Sequence, residues 1–225
     1  METMMAFLQG TRAAPMHSAA NATVDERMAF LRKVYGLLFL SLIVATAGGF
    51  IGQGLNPALM FPLFIVEIAL IFFAMAVRRK AGWNLIALFS FAAVSGLTLG
   101  PVSVYYGAGA IQEALVLTVV IFGGLTLYVM FSGRDFSFLG GFLVVGLIVV
   151  IAGSLLNIFL LQSPMTEFMI AGGGVILFSG FILYDTSNIL RNYDVRDYTS
   201  ATLALYLDIL NLFLFLLRLL GGNRD

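Results

Sequence analysis

Ala201-Thr-Leu-Ala-Leu-Tyr-Leu-Asp208-Ile-Leu-Asn211-Leu-Phe-Leu-Phe-Leu-Leu-Arg218-Leu-Leu220 is the stretch on which the fold turns. It is long enough to cross a bilayer, whose hydrocarbon core takes about 20 helical residues, yet an acid stands inside it. Ten leucines, one isoleucine and two phenylalanines contribute roughly 6 kcal/mol of insertion energy at about −0.5 kcal/mol each. That is enough to carry Asp208 and Asn211, so the segment is read as a membrane span.

Six more apolar runs precede it: about Val34 to Leu55, Ala58 to Val77, Trp83 to Tyr106, Ala114 to Phe131, Phe138 to Leu161 and Phe168 to Leu190. Short loops separate them, at Asn56-Pro57, Arg78 to Lys80, Gly107 to Glu113, Ser132 to Ser137, Gln162 to Glu167 and Asn192 to Ser200. The composition agrees, with 60% hydrophobic and 11% charged residues, whereas a soluble domain carries about 25% charged. The expected fold is an all-α membrane protein of seven transmembrane helices over residues 31–225, preceded by a polar cytoplasmic tail over residues 1–30 with no signal peptide.

Orientation follows from the Lys and Arg positions, because cytoplasmic loops retain them. With the N-terminus inside, Arg12, Arg27, Arg32, Lys33, Arg78, Arg79, Lys80, Arg134, Arg191 and Arg196 are cytoplasmic, and only Arg218 and Arg224 are outside. The weak point is the last span: if it re-enters instead of crossing, those two also lie inside. A net charge of zero without a basic block argues against nucleic acid. The absence of cysteine removes disulfides, thiolate sites and a cysteine nucleophile. The one histidine, His17, lies in the tail, which excludes a histidine relay or metal site within the membrane. Gly48-x-x-x-Gly52 and Gly96-x-x-x-Gly100 have the spacing at which helices approach closely in lipid.

Three ionisable residues fall inside apolar spans: Glu67, Asp185 and Asp208. Each costs roughly 3 kcal/mol to insert, and such residues commonly mark an ion or proton route. Asp185 lies roughly 8 Å from the cytoplasmic end of its span and Asp208 roughly 11 Å into the next, at 1.5 Å per residue. The two carboxylates are therefore expected to face each other. Two carboxylates in contact share one proton and titrate as a unit, which makes a pH sensor. Arg78, at the same end of the second span, could snorkel toward the ionised form and latch two helices together. The alternatives are structural: the acids satisfied by Asn188, Asn211, Tyr184 or Tyr206, and Arg78 one member of a positive-inside cluster. Glu67 is either a second acidic station on a cation route or a neutral, hydrogen-bonded side chain.

Gly180-Phe-Ile-Leu-Tyr-Asp-Thr-Ser187, Leu205-Tyr-Leu-Asp-Ile-Leu-Asn-Leu-Phe213, Leu217-Arg-Leu-Leu-Gly221 and Phe30-Leu-Arg-Lys-Val-Tyr-Gly36 together resemble the Bax-inhibitor family, in its bacterial branch. The resemblance covers nearly all of the chain beyond about residue 25. It implies a calcium-leak channel whose last helix is central, with Asp185 and Asp208 as the pH-sensing pair and possible calcium ligands, Arg78 as the latch and Glu67 on the ion path. Asn211 supplies an amide oxygen suited to the same path. The implied partners are calcium ions, protons and membrane lipid, with no cofactor and no enzymatic activity, in a bacterial inner membrane. The family resemblance also permits a non-channel regulator that binds a quality-control protease or a cell-death partner. An intramembrane aspartyl protease is disfavoured, because it would carry Gly-x-Gly-Asp where this chain has Leu205-Tyr-Leu-Asp208.

Overall fold

The computed structural model describes residues 18–221. His17, Arg12 and Arg224, and with them most of the expected tail, lie outside the described residues. Helix α1 spans Val24–Gly52 and α2 Met60–Val77, entered through a 3-10 turn at Pro57–Leu59. Helix α3 spans Trp83–Ser132 and α4 Gly140–Leu156, the latter flanked by a 3-10 turn at Ser137–Leu139 and a π-helical turn at Asn157–Leu161. Helices α5 (Pro164–Arg191) and α6 (Tyr198–Gly221) complete the chain. The six elements are each long and apolar enough to cross a membrane.

The count differs from the seven expected runs because the third and fourth lie in one element. Helix α3 has 50 residues, which would measure about 75 Å if straight, more than twice a bilayer core of about 30 Å. It is interrupted at Gly107, whose φ of 77° and ψ of 160° are not helical. The loop expected over residues 107–113 contracts to that single residue, since Ala108 onward is helical again. Glycine has no Cβ to oppose the positive φ, so one residue is enough to divide the rod.

Local chemistry sets the other boundaries. Thr23 and Glu26 form a capping box, with the Thr23 amide donating to Glu26 Oε2 at 2.9 Å and the Glu26 amide to Thr23 Oγ1 at 3.3 Å. It starts α1 at Val24, ten residues before the expected Val34. The preceding Ser18 and Ala19 are fully buried, and the Ala19 amide donates to the Tyr193 carbonyl at 2.9 Å. The end of the expected tail is thus part of the folded unit. Ser163 caps α5 with Pro164 at its first position, so Glu167, expected in a loop, lies in the first helical turn.

Burial ranks the helices. Thirteen of the 24 residues of α6 are buried, against Val77 alone in α2 and Leu143 alone in α4. The last helix is the most enclosed, packed by α1, α3 and α5. Lipid is as apolar as leucine, so close packing and not the hydrophobic effect holds such helices together. Gly48 and Gly52 of α1 meet Gly96 and Gly100 of α3 backbone to backbone: a Cβ on Gly48 would lie 2.8 Å from the Ala93 carbonyl oxygen. Gly174 of α5 likewise leaves room for Phe215, whose ring stacks on Phe178 at 5.6 Å.

Candidate functional site

Helix α5 presents Asp185 about two turns before its end and α6 presents Asp208 about three turns after its start, and the short intervening loop folds the two helices side by side. Their carboxyl groups come within hydrogen-bonding reach of one another. Asp208 is 4% exposed, and its Oδ2 meets no donor among the described residues. Two ionised carboxylates have no hydrogen to share, so a hydrogen bond between such groups forms only when one of them carries a proton.

Several other buried hydroxyls among the described residues lack a hydrogen-bond partner. Those of Tyr35 on α1 and Thr186 on α5 adjoin each other, and like that of Thr199 on α6 they meet no well-oriented partner among the described residues. A buried polar atom left alone costs about 1–3 kcal/mol, so such positions suit a buried water molecule. Sequence reasoning did not single out these hydroxyls, because serine, threonine and tyrosine are common in membrane helices.

Beneath the pair lies the α5–α6 loop. Burial, and next the negative charges of Asp185 and Asp208, push the Tyr193 hydroxyl above its ordinary range. Asp194 is held down at about 2, chiefly by hydrogen bonds from Arg196 and also by the charge of Arg79. Arg196 Nη2 lies 2.9 Å from Asp194 Oδ2, and Arg79 reaches Asp194 at 3.9 Å and Asp197 at 3.4 Å. Arg79 therefore ties the end of α2 to this loop. The latch expected of Arg78 is not formed: among the described residues Arg78 is exposed and makes no ion pair with Asp185 or Asp208. Arg79 makes the ion pairs with the loop, whereas Arg78 beside it makes none among the described residues.

Glu67 accepts a hydrogen bond from Thr98 Oγ1 at 2.6 Å. The Thr98 hydroxyl is also 2.8 Å from the Ser95 carbonyl, and Ser95 Oγ lies 2.6 Å from the Tyr206 hydroxyl. A polar chain thus runs from α2 through α3 to α6. Asn211 Nδ2 donates to the Leu207 carbonyl of its own helix at 2.8 Å, and no hydrogen bond among the described residues links it to Glu67 or to the acid pair. No group of three or more acidic, histidine or cysteine side chains forms a metal cluster among the described residues. Calcium takes six to eight oxygens, so Asp185 and Asp208 alone do not build a resident calcium cage.

An all-helical, multi-pass integral membrane protein with carboxyl groups facing each other across its last two helices is the class that this architecture defines. The chain belongs to the Bax inhibitor family: the family model described as Inhibitor of apoptosis-promoting Bax1 matches residues 27–225. It is 38% identical over 213 residues to the Golgi anti-apoptotic protein of Vaccinia virus (strain Lister), covering 90% of this chain and 89% of that one. It is 38% identical over 205 residues to Bax inhibitor 1 of Schizosaccharomyces pombe, covering 87% and 77%. An uncharacterized membrane protein of Vibrio cholerae is 37% identical over 204 residues, covering 87% and 91%.

Proposed function

We propose that the protein is a cation leak channel, with calcium among its permeant ions, in which the Asp185–Asp208 pair gates conduction through the proton it shares. The observation that carries this reading is the facing Asp185 and Asp208 carboxyl groups, the latter buried with its Oδ2 unpartnered among the described residues. A permeant cation would exchange with the shared proton there, and Glu67 and Asn211 would supply further oxygens along the route. The two arms of α3 on either side of Gly107 each make a crossing in this reading, giving seven crossings, a cytoplasmic N-terminus and a bacterial inner-membrane location. Arg78, which has no acid partner among the described residues, is the cation that moves onto the pair when it ionises.

A second reading is favoured by the relatives named for anti-apoptotic and Bax-inhibiting roles: a regulator that binds other membrane proteins. The packing of Ser18 and Ala19 against Tyr193 and Asp194 supports it, because a partner drawing on the tail would act directly on the α5–α6 loop. Purified protein in liposomes loaded with a calcium dye separates the two. The channel predicts calcium entry that changes with pH and is altered in Asp185→Asn and Asp208→Asn. No flux at any pH, or flux unchanged in both variants, sinks it.

A further inference from the structure

At the arginine-rich end of the bundle a cavity of about 290 Å³ opens between the α2–α3 turn and the α5–α6 loop, lined by Arg78, Arg79, Asn84, Arg196 and Tyr198. That is roughly ten times the volume of a water molecule. Lys33 of α1 lies over Tyr198 of that lining, with its ammonium 5.3 Å from the ring centre. Asp194 and Asp197 pair with Arg79, and Asp194 also with Arg196, which neutralises those two arginines. Arg78 and Lys33 have no acid opposite them among these ion pairs, so two positive charges remain uncompensated. Asn84, 5% exposed, fixes the turn by donating to the Arg78 carbonyl at 3.4 Å.

We propose that this cavity binds the phosphate of an anionic membrane lipid. Guanidinium groups match phosphate oxygens with paired hydrogen bonds, and the cavity lies where the headgroups of the negatively charged cytoplasmic leaflet would meet the protein. A basic pocket between transmembrane helices on that side is a recognised lipid-headgroup setting. One consequence rests on the channel reading above: lipid phosphate and the ionised acid pair compete for Arg78, so anionic lipid would free the gate from its latch. The binding itself rests on the cytoplasmic placement of this end and not on ion conduction.

Trp83, the chain's sole tryptophan, adjoins Asn84 and is 56% exposed, which makes it a native reporter of the neighbouring lipid. The full chain is reconstituted in phosphatidylcholine vesicles in which a minor fraction is acyl-brominated, either phosphatidylglycerol or phosphatidylcholine. The expected result is that brominated phosphatidylglycerol associates about fivefold better beside Trp83, the factor that one arginine at a charged membrane surface contributes. The preference falls to parity in Arg78→Gln, which breaks no ion pair, drops in Arg196→Gln, and is partly kept in Arg78→Lys. Equal quenching by the two lipids, or a preference untouched by either glutamine variant, overturns the proposal. Loss of the preference on adding inorganic phosphate, against chloride of matched ionic strength, assigns the cavity to a soluble phosphate compound and overturns the lipid source.

Discussion

Replacing Gly96 by alanine tests the packing that holds α1 against α3. A Cβ at Gly96 would lie 2.8 Å from Ala45 Cα and 2.9 Å from the Ala45 carbonyl carbon. Carbon atoms pack best at about 3.5–4.0 Å, so the two backbones must part by roughly 1 Å to admit one methyl group. The obstruction is main chain, which cannot swing aside as a side chain would. Overpacking of this kind costs about 1–3 kcal/mol, and here the displacement also disturbs the adjoining contacts of Gly48, Gly52 and Gly100. Gly123, in the same helix, has nothing within 4 Å of the equivalent Cβ position. Gly123→Ala should therefore be neutral or slightly stabilising, since alanine is the better helix former by about 1 kcal/mol. The assay is the thermal or SDS unfolding midpoint in detergent micelles. Gly96→Ala as stable as the parent, or Gly123→Ala as damaging as Gly96→Ala, would refute the account of a backbone-to-backbone seam.

Three further outcomes are expected. In Asp208→Asn an amide can donate to Asp185 without a shared proton, so calcium flux measured from pH 5 to 8 should vary less than about twofold, whereas a one-proton gate in the parent changes by up to about tenfold per pH unit; a variant profile that parallels the parent's removes the pair from the gate. Tyr206→Phe keeps the edge-on ring contact with Phe91 at 5.6 Å and deletes only the hydroxyl facing Ser95, so it should lower stability by about 1 kcal/mol, read as a shifted unfolding midpoint with flux retained. Asp194 titrates at about 2 in the fold and near 3.8 when free. A depressed carboxyl pKa stabilises the fold above the free value, and the effect is lost as pH falls through the folded one. The difference in thermal midpoint between parent and Asp194→Asn should accordingly be constant above about pH 5, shrink to a small fraction by about pH 2 and vanish by about pH 1, and a difference that grows on acidification would contradict the assignment.

The apolar runs and the glycine spacing were legible because lipid imposes length and small residues impose contact; Gly48, Gly52, Gly96 and Gly100 meet as their spacing suggested. The proximity of Asp185 and Asp208 was legible from depth, since a short loop leaves two successive helices little choice of register. The single-residue break at Gly107 was not, because Ala108 to Glu113 reads equally as loop or helix until its neighbours are placed. The start of α1 could have been read from Thr23-Val-Asp-Glu26, which is a capping-box pattern, but the weak hydropathy of that stretch masked it. Arg79 and Arg78 are indistinguishable as sequence, and only the folded backbone of the α2–α3 turn decides which one reaches Asp197. The Ser95–Tyr206 contact joins residues 111 positions apart, and no local pattern announces it.

The glycine at position 107 also divides the molecule mechanically. The arm of α3 before it is clamped to α1 by the glycine seam, while the arm after it sends Ala110 and Ala114 into the cluster around Leu212 and Leu216. Force applied to one group of helices reaches the other along α3 through a residue with wide torsional freedom. A rigid 50-residue rod would transmit tilt from one face of the bilayer to the other. A rod with a swivel lets the two groups lean independently, and the load between them then falls on the buried final helix that both arms touch.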